Sequence, residues 1–313
     1  MRLLALKIDV DTLRGTREGV PRLVETLQKH DAGATFLFSL GPDHTGRALK
    51  RVFRPGFLKK VSRTSVLEHY GLRTLLYGTV LPGPDIGRRA EREMRAVADA
   101  GFEVGVHCWD HIRWQDGVAD ADARWTEHEL HLAAERFESI FGTRPHTHGA
   151  AGWQMNAHAL RWLQDERIEY ASDCRGTHPF IPVVNGELVS CMQLPTTLPT
   201  LDELIGVNGI NADSVAQHVL SLTSVPSPTG HVYTLHAELE GMKLLPAFDA
   251  LLKGWRKQGW QLVSMAELAV AVRDRAIPRH QFLQGTIPGR SGTLSLQGPV
   301  HPQALSVNIP VPG

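Results

Sequence analysis

The sequence predicts a parallel α/β barrel, and three observations carry that expectation. Strand-like apolar runs alternate with segments of helical spacing, acids and histidines gather where those runs end, and 313 residues suffice to bury one large core. The composition, 42% apolar and 21% charged, is that of an ordinary globular chain. The 33 basic residues offset the 33 acidic ones, so the overall charge gives no sign of a nucleic-acid or polyanionic partner.

Taken in order, LLALKIDVDT reads as a buried strand ending in carboxylates. GVPRLVETLQKHDA places apolar residues at helical spacing, and GATFLFSLG returns to strand, which completes a βαβ unit. AEREMRAVADA then leads as a helix into the strand FEVGVH. WTEHELHLAAERFESIFG follows as a helix, then a short run near 146–151, the helix NAHALRWLQDERI and the strand EYASDC. HVYTLHAE as strand, LPAFDALLKGWRKQGW as helix and QLVSM as strand close the alternation. In a barrel of this kind functional groups sit at the C-terminal ends of the strands.

The barrel is expected over residues 1–275, with two segments outside the alternation. Residues 42–88 form an insertion in which Phe53, Phe57, Leu58 and Tyr77 mix with Lys50, Arg51, Lys59 and Lys60, a pattern suited to an anionic membrane surface and equally to a solvated helical hairpin. Residues 276–313 are rich in Pro, Gly and Ser without a sustained period, and the expectation is a poorly ordered or draped extension. The opening MRLLALKIDVDT is too short in apolar residues for a secretory signal, and no apolar run reaches the length of a membrane span. Cys108, Cys174 and Cys191 have neither an even count nor zinc-type spacing, so reduced thiols and a cytoplasmic location are expected.

Asp9 and Asp11, two apart on an extended strand, project to one side and can share a site, where a cation or proton must separate their charges. They also read as a helix cap beside a solvated acid. His107 and His111 bracket HCWDH, and an i, i+4 spacing on one face of a helical turn suits a divalent metal, although 16 histidines make chance pairs common. With one carboxylate they would leave coordination positions open for water and substrate. His236 in VYTLHAE adds a group titrating near neutrality at a third strand end. Asp173 and Arg175 in YASDCRG read as a compact acid and base pair or as a structural ion pair, and HGAAGW, from His148 to Trp153, as a small-residue loop that lets backbone approach a ligand.

Jointly, IDVDT, HCWDH and TLHAE make residues 1–270 resemble the NodB-homology polysaccharide deacetylases, also called carbohydrate esterase family 4; HCWDH departs from that family's H(S/T)xxH only at its second residue. The resemblance implies a distorted barrel of seven strands and one divalent metal, whether zinc, cobalt or manganese. It implies Asp9 as general base, Asp11, His107 and His111 as metal ligands, and His236 as general acid. The family's third motif supplies an arginine that holds the base; HGAAGW has none, so Arg175 is the expected substitute, with Trp153, Asp173 and Arg175 expected at the substrate. The stretches IDVDTLRGTREGVPRLVETLQKH, GVHCWDHIRWQ, SDCRG, LPTTLPTLDELIG and YTLHAELEG are similar to a branch of the family that removes formate from an amino sugar linked to undecaprenyl phosphate. That likeness implies hydrolysis of a linear amide at the cytoplasmic face of the inner membrane, in lipid A modification and polymyxin resistance. Two other readings stay open, a deacetylase of another N-acylated sugar and a non-catalytic metal- or glycan-binding barrel.

Overall fold

The computed structural model describes residues 1–48, 71, 73–290 and 292–301. The chain runs β1 (Leu3–Val10), α1 (Val20–Lys29), β2 (Thr35–Ser39), α2 (Ile86–Arg89), α3 (Glu91–Asp99), β3 (Glu103–Cys108), α4 (His111–Gly117), α5 (Ala123–Phe141) and β4 (Thr147–His148). It continues through α6 (Ala157–Asp165), β5 (Tyr170–Ala171), β6 (Ile181–Val184), β7 (Glu187–Leu188), β8 (Met192–Gln193), α7 (Leu201–Leu204), α8 (Val215–Leu222) and β9 (His231–His236). The last elements are α9 (Leu245–Lys257), β10 (Gln261–Val263), α10 (Met265–Arg273), β11 (Arg279–Gly285) and β12 (Leu294–Val300).

Alternation along β1 sets the layout. Leu4, Leu6, Ile8 and Val10 turn outward into the main core with Leu23 and Leu27 of α1 and Leu251 and Trp255 of α9. The opposite face carries Ala5, which clusters with Tyr170, Leu194, Val232 and Met265, and then Lys7 and Asp9, both buried. The interior is therefore apolar at the end covered by α10 and polar where the strands end. Seven parallel strands, in the order β9-β1-β2-β3-β4-β5-β8, form the curled wall, and the short β10 pairs with Leu3–Ala5. The chain just beyond β8 meets β9 across the gap, where Thr197 N donates to Val232 O at 3.0 Å and Val232 N to Thr197 Oγ1 at 3.0 Å.

Of the extension expected to be poorly ordered or draped, Arg279–Gly285 and Leu294–Val300 are strands, and residues 302–313 lie outside the described residues. β11 and β12 are antiparallel, and β11 runs parallel to β6 in a second sheet ordered β12-β11-β6-β7. The inward positions of β11 are His280 and Phe282, so the period of two is carried partly by a polar residue and an apolar pattern does not reveal it. The extension is tied to the barrel through Arg175, whose N donates to Ser295 O at 2.9 Å and whose O accepts from Gln297 N at 2.8 Å. The lipid-facing expectation for residues 42–88 rests mainly on side chains at 49–70, outside the described residues, whereas Leu75 is buried.

Candidate active site

Lys7, Asp9 and Asp11 follow one another at intervals of two on and just beyond β1, so the strand period directs all three into the polar end of the barrel. His107 lies near the end of β3 and His111 opens α4. The spacing was expected to act within a helical turn; instead a strand-to-helix turn brings the two rings to a centroid distance of 5.3 Å. That turn is fixed by Asp110, which caps α4 by accepting from Arg113 N at 3.1 Å and is itself gripped by His44 Nδ1 at 2.5 Å.

Asp11, His107 and His111 are the one group of three potential metal ligands found among the described residues, each offering a ligand atom within 4.8 Å of the others. His107 Nδ1 donates to Gly149 O at 2.6 Å, which leaves its Nε2, 3.3 Å from Asp11 Oδ1, to offer a lone pair to a cation. His111 Nε2 lies 3.5 Å from the same oxygen, and that buried oxygen has no hydrogen-bond donor. An orphaned carboxylate oxygen facing two imidazoles fits a divalent cation. Burial alone would raise the Asp11 carboxyl, but His111 and His107 outweigh it and hold the group well below the usual carboxylate range.

The cation beside Asp9 is Lys7. Lys7 is fully buried, with Nζ 3.4 Å from Asp9 Oδ2, 3.0 Å from Ser172 O, which accepts its hydrogen bond, and 5.3 Å from the centre of the Trp153 ring. Gly149 makes this possible, because a Cβ there would meet Leu37 Cδ1 at 2.3 Å and Lys7 Cε at 2.8 Å. The other oxygen of Asp9, Oδ1, is buried, lacks a hydrogen bond and lies 3.8 Å from His107 Nδ1. Arg175, expected to hold Asp9, is engaged elsewhere. Its Nη1 contacts Glu203 Oε1 at 2.6 Å and Oε2 at 2.9 Å, and its Nη2 donates to Leu198 O at 2.9 Å. The available signal was position, since a lysine two residues before Asp9 shares its face of the strand.

His236 ends β9 directly across from Asp9 in the ladder. Burial lowers its imidazole, but Asp11, Asp202, Asp9 and Glu240 together raise it above the ordinary histidine value. Two glutamates of HAELEG, absent from the residues singled out in the sequence, frame it. Glu240 Oε2 accepts from His236 N at 2.9 Å, and burial pushes that carboxyl up to about 7. Glu238 Oε1 accepts from Asp11 N at 3.1 Å, Thr12 N at 2.9 Å and Thr12 Oγ1 at 2.8 Å; burial and then the Asp11 charge push it up to about 8.

Asp173 is not brought to a substrate face. It is fully buried, and its carboxylate binds His148 Nδ1 at 2.7 Å, Ala150 N at 2.9 Å and Gln193 Nε2 at 2.9 Å, which shapes the HGAAGW loop. Trp153, at φ 55°, is buried and donates from Nε1 to Thr196 Oγ1 at 3.1 Å.

A model of the family described as polysaccharide deacetylase matches residues 3–171. The chain belongs to the polysaccharide deacetylase family, hydrolases that act on amide bonds. Among curated relatives, the probable 4-deoxy-4-formamido-L-arabinose-phosphoundecaprenol deformylase ArnD of Shewanella sediminis (strain HAW-EB3) is 37% identical, with 94% of each chain covered. The protein of the same description from Wigglesworthia glossinidia brevipalpis is 32% identical over 90% of this chain and 98% of its own. The fold is also that of the crystal structure of a putative polysaccharide deacetylase from Mycobacterium smegmatis, at a TM-score of 0.62, 17% identity, 91% of this chain and 96% of that one.

Proposed function

We propose that this protein is a metal-dependent deformylase that hydrolyses the formamide of 4-deoxy-4-formamido-L-arabinose carried on undecaprenyl phosphate, releasing formate and the 4-amino sugar lipid. The observation that carries this reading is the convergence of Asp9, Asp11, His107, His111 and His236 on one buried polar end of the barrel, in a chain whose curated relatives bear that description.

A divalent ion, zinc, cobalt or manganese, held by Asp11, His107 and His111 would supply an acidified water and polarise the formamide carbonyl. Asp9 is arranged to accept a proton, since Lys7 engages Oδ2 and leaves Oδ1 open. An amine leaves an amide only when protonated, and the acids around His236 keep its imidazolium available for that transfer. Lys7 takes the part that an arginine plays in the family's third motif. Such an activity belongs at the cytoplasmic face of the inner membrane, in lipid A modification and polymyxin resistance, with peripheral contact to the lipid; no helix among the described residues is long and apolar enough to cross a membrane.

The test is formate release by the metal-loaded protein from the formylated sugar lipid and its acetylated counterpart. Formate without matching acetate release supports the reading, and acetate release alone replaces it with a deacetylase. Lys7→Met is expected to keep metal content and lower kcat by a factor of about 10 to 100, because an unheld base loses its alignment, while Lys7→Arg recovers most of the loss. Full activity in Lys7→Met would remove Lys7 from this role.

A further inference from the structure

Three cations gather around one indole. Trp153 has the guanidinium carbon of Arg290 at 4.5 Å from its ring centre, that of Arg175 at 5.1 Å and Lys7 Nζ at 5.3 Å. The Lys7 charge is matched by Asp9. Arg175 and Arg290 instead share a single carboxylate, Glu203, whose Oε1 lies 2.6 Å from Arg175 Nη1 and 3.6 Å from Arg290 Nη1. Glu203 thus brings one carboxylate to two guanidinium groups. Arg175 Nε is moreover buried without an acceptor, a costly state for a guanidinium N–H unless an anion completes it.

We propose that Arg175 and Arg290 form the subsite for the phosphate of the substrate. This rests on the deformylase reading and adds to it which residues hold the lipid-linked end. Guanidinium forks match phosphate oxygens in shape and charge, and a largely dry site strengthens the match. The two side chains are 11% and 14% exposed, buried enough to limit screening and open enough to be reached. Contacts of 3.4 and 5.3 Å lead from Asp9 through Lys7 to the Trp153 ring, so the anion site lies next to the polar end of the barrel. A 4-formamido pyranose phosphate carries its amide and its phosphate at opposite ends of one ring, which suits a reacting carboxylate on one side of this cluster and the arginines on the other.

Arg290 comes from the connection between β11 and β12, so the C-terminal extension supplies part of the site. Its neighbour Gly289, at φ 81°, lies where a Cβ would come within 2.6 Å of Glu203 O, and glycine is what lets this connection close onto α7.

Two measurements on the full-length, metal-loaded protein test the assignment. In the first, formate release is compared between a short-prenyl phosphodiester of the formamido sugar and the methyl glycoside of the same sugar. Arg290→Ala is expected to shrink the preference for the phosphodiester by a factor of about 10 or more, chiefly through KM, and Arg290→Lys to shrink it less. An unchanged preference overturns the proposal. In the second, calorimetry with a sugar-free short-prenyl phosphate should show binding weakened about tenfold or more in Arg290→Ala; equal binding by wild type and variant, or none by wild type, also overturns it. Failure of both substrates to release formate from wild type would strike the deformylase reading instead, and the binding measurement would still decide the subsite.

Discussion

Asp11→Ala and His107→Ala are each expected to lose bound metal and hydrolytic activity together, the latter by a factor well above about 100, with the fold retained. Even partners that only orient a ligand are worth roughly 10 to 100 in metal affinity, and removing a ligand exceeds that. The geometry gives the reason. Asp11 Oδ1 is the common point of both imidazoles, at 3.3 and 3.5 Å, and His107 is already oriented by Gly149 O. Deleting the carboxylate leaves two imidazoles with no negative charge between them, and deleting His107 leaves only one imidazole facing the carboxylate. Elemental analysis of purified variants beside a formate assay checks this. Full metal stoichiometry in Asp11→Ala would refute the assignment of the metal centre.

Asp9→Asn is expected to separate the two losses. The amide keeps the shape of the carboxylate and can still accept from Lys7, so the polar layer stays in place and metal content should match wild type. What disappears is proton acceptance, and general-base catalysis is worth a factor of about 100 to 10,000 in turnover. kcat should fall by that amount while KM changes little, because the contribution is made in the transition state. An Asp9→Asn protein that turns over at the wild-type rate would mean that another group takes the proton.

Much of this was legible because strands place polar residues by parity. IDVDT, the histidines of HCWDH and the final histidine of VYTLH stand where apolar runs stop, and the fold brings all five side chains to one end of the barrel. Less legible was anything set by packing across the barrel. Arg175 is near the site in sequence pattern, but Glu203 of a distant helix claims it, and Lys7 looks like an ordinary strand residue until its burial is known. The strand β11 escaped because His280 holds an inward position that hydrophobicity assigns to solvent. Glu238 and Glu240 escaped for a related reason, since buried carboxylates declare themselves only through the backbone donors they meet.

Glu238 also bears on how mutations should be distributed. Its one oxygen clasps the backbone at Asp11 and Thr12 from a position two residues past His236, joining the first strand of the chain to one 226 or 227 residues later. The spacing between Asp11 and His236 is therefore set by a rivet rather than by a hinge. Damage at either end of the polypeptide will be felt at the other, and Asp11 and His236 will tend to shift together.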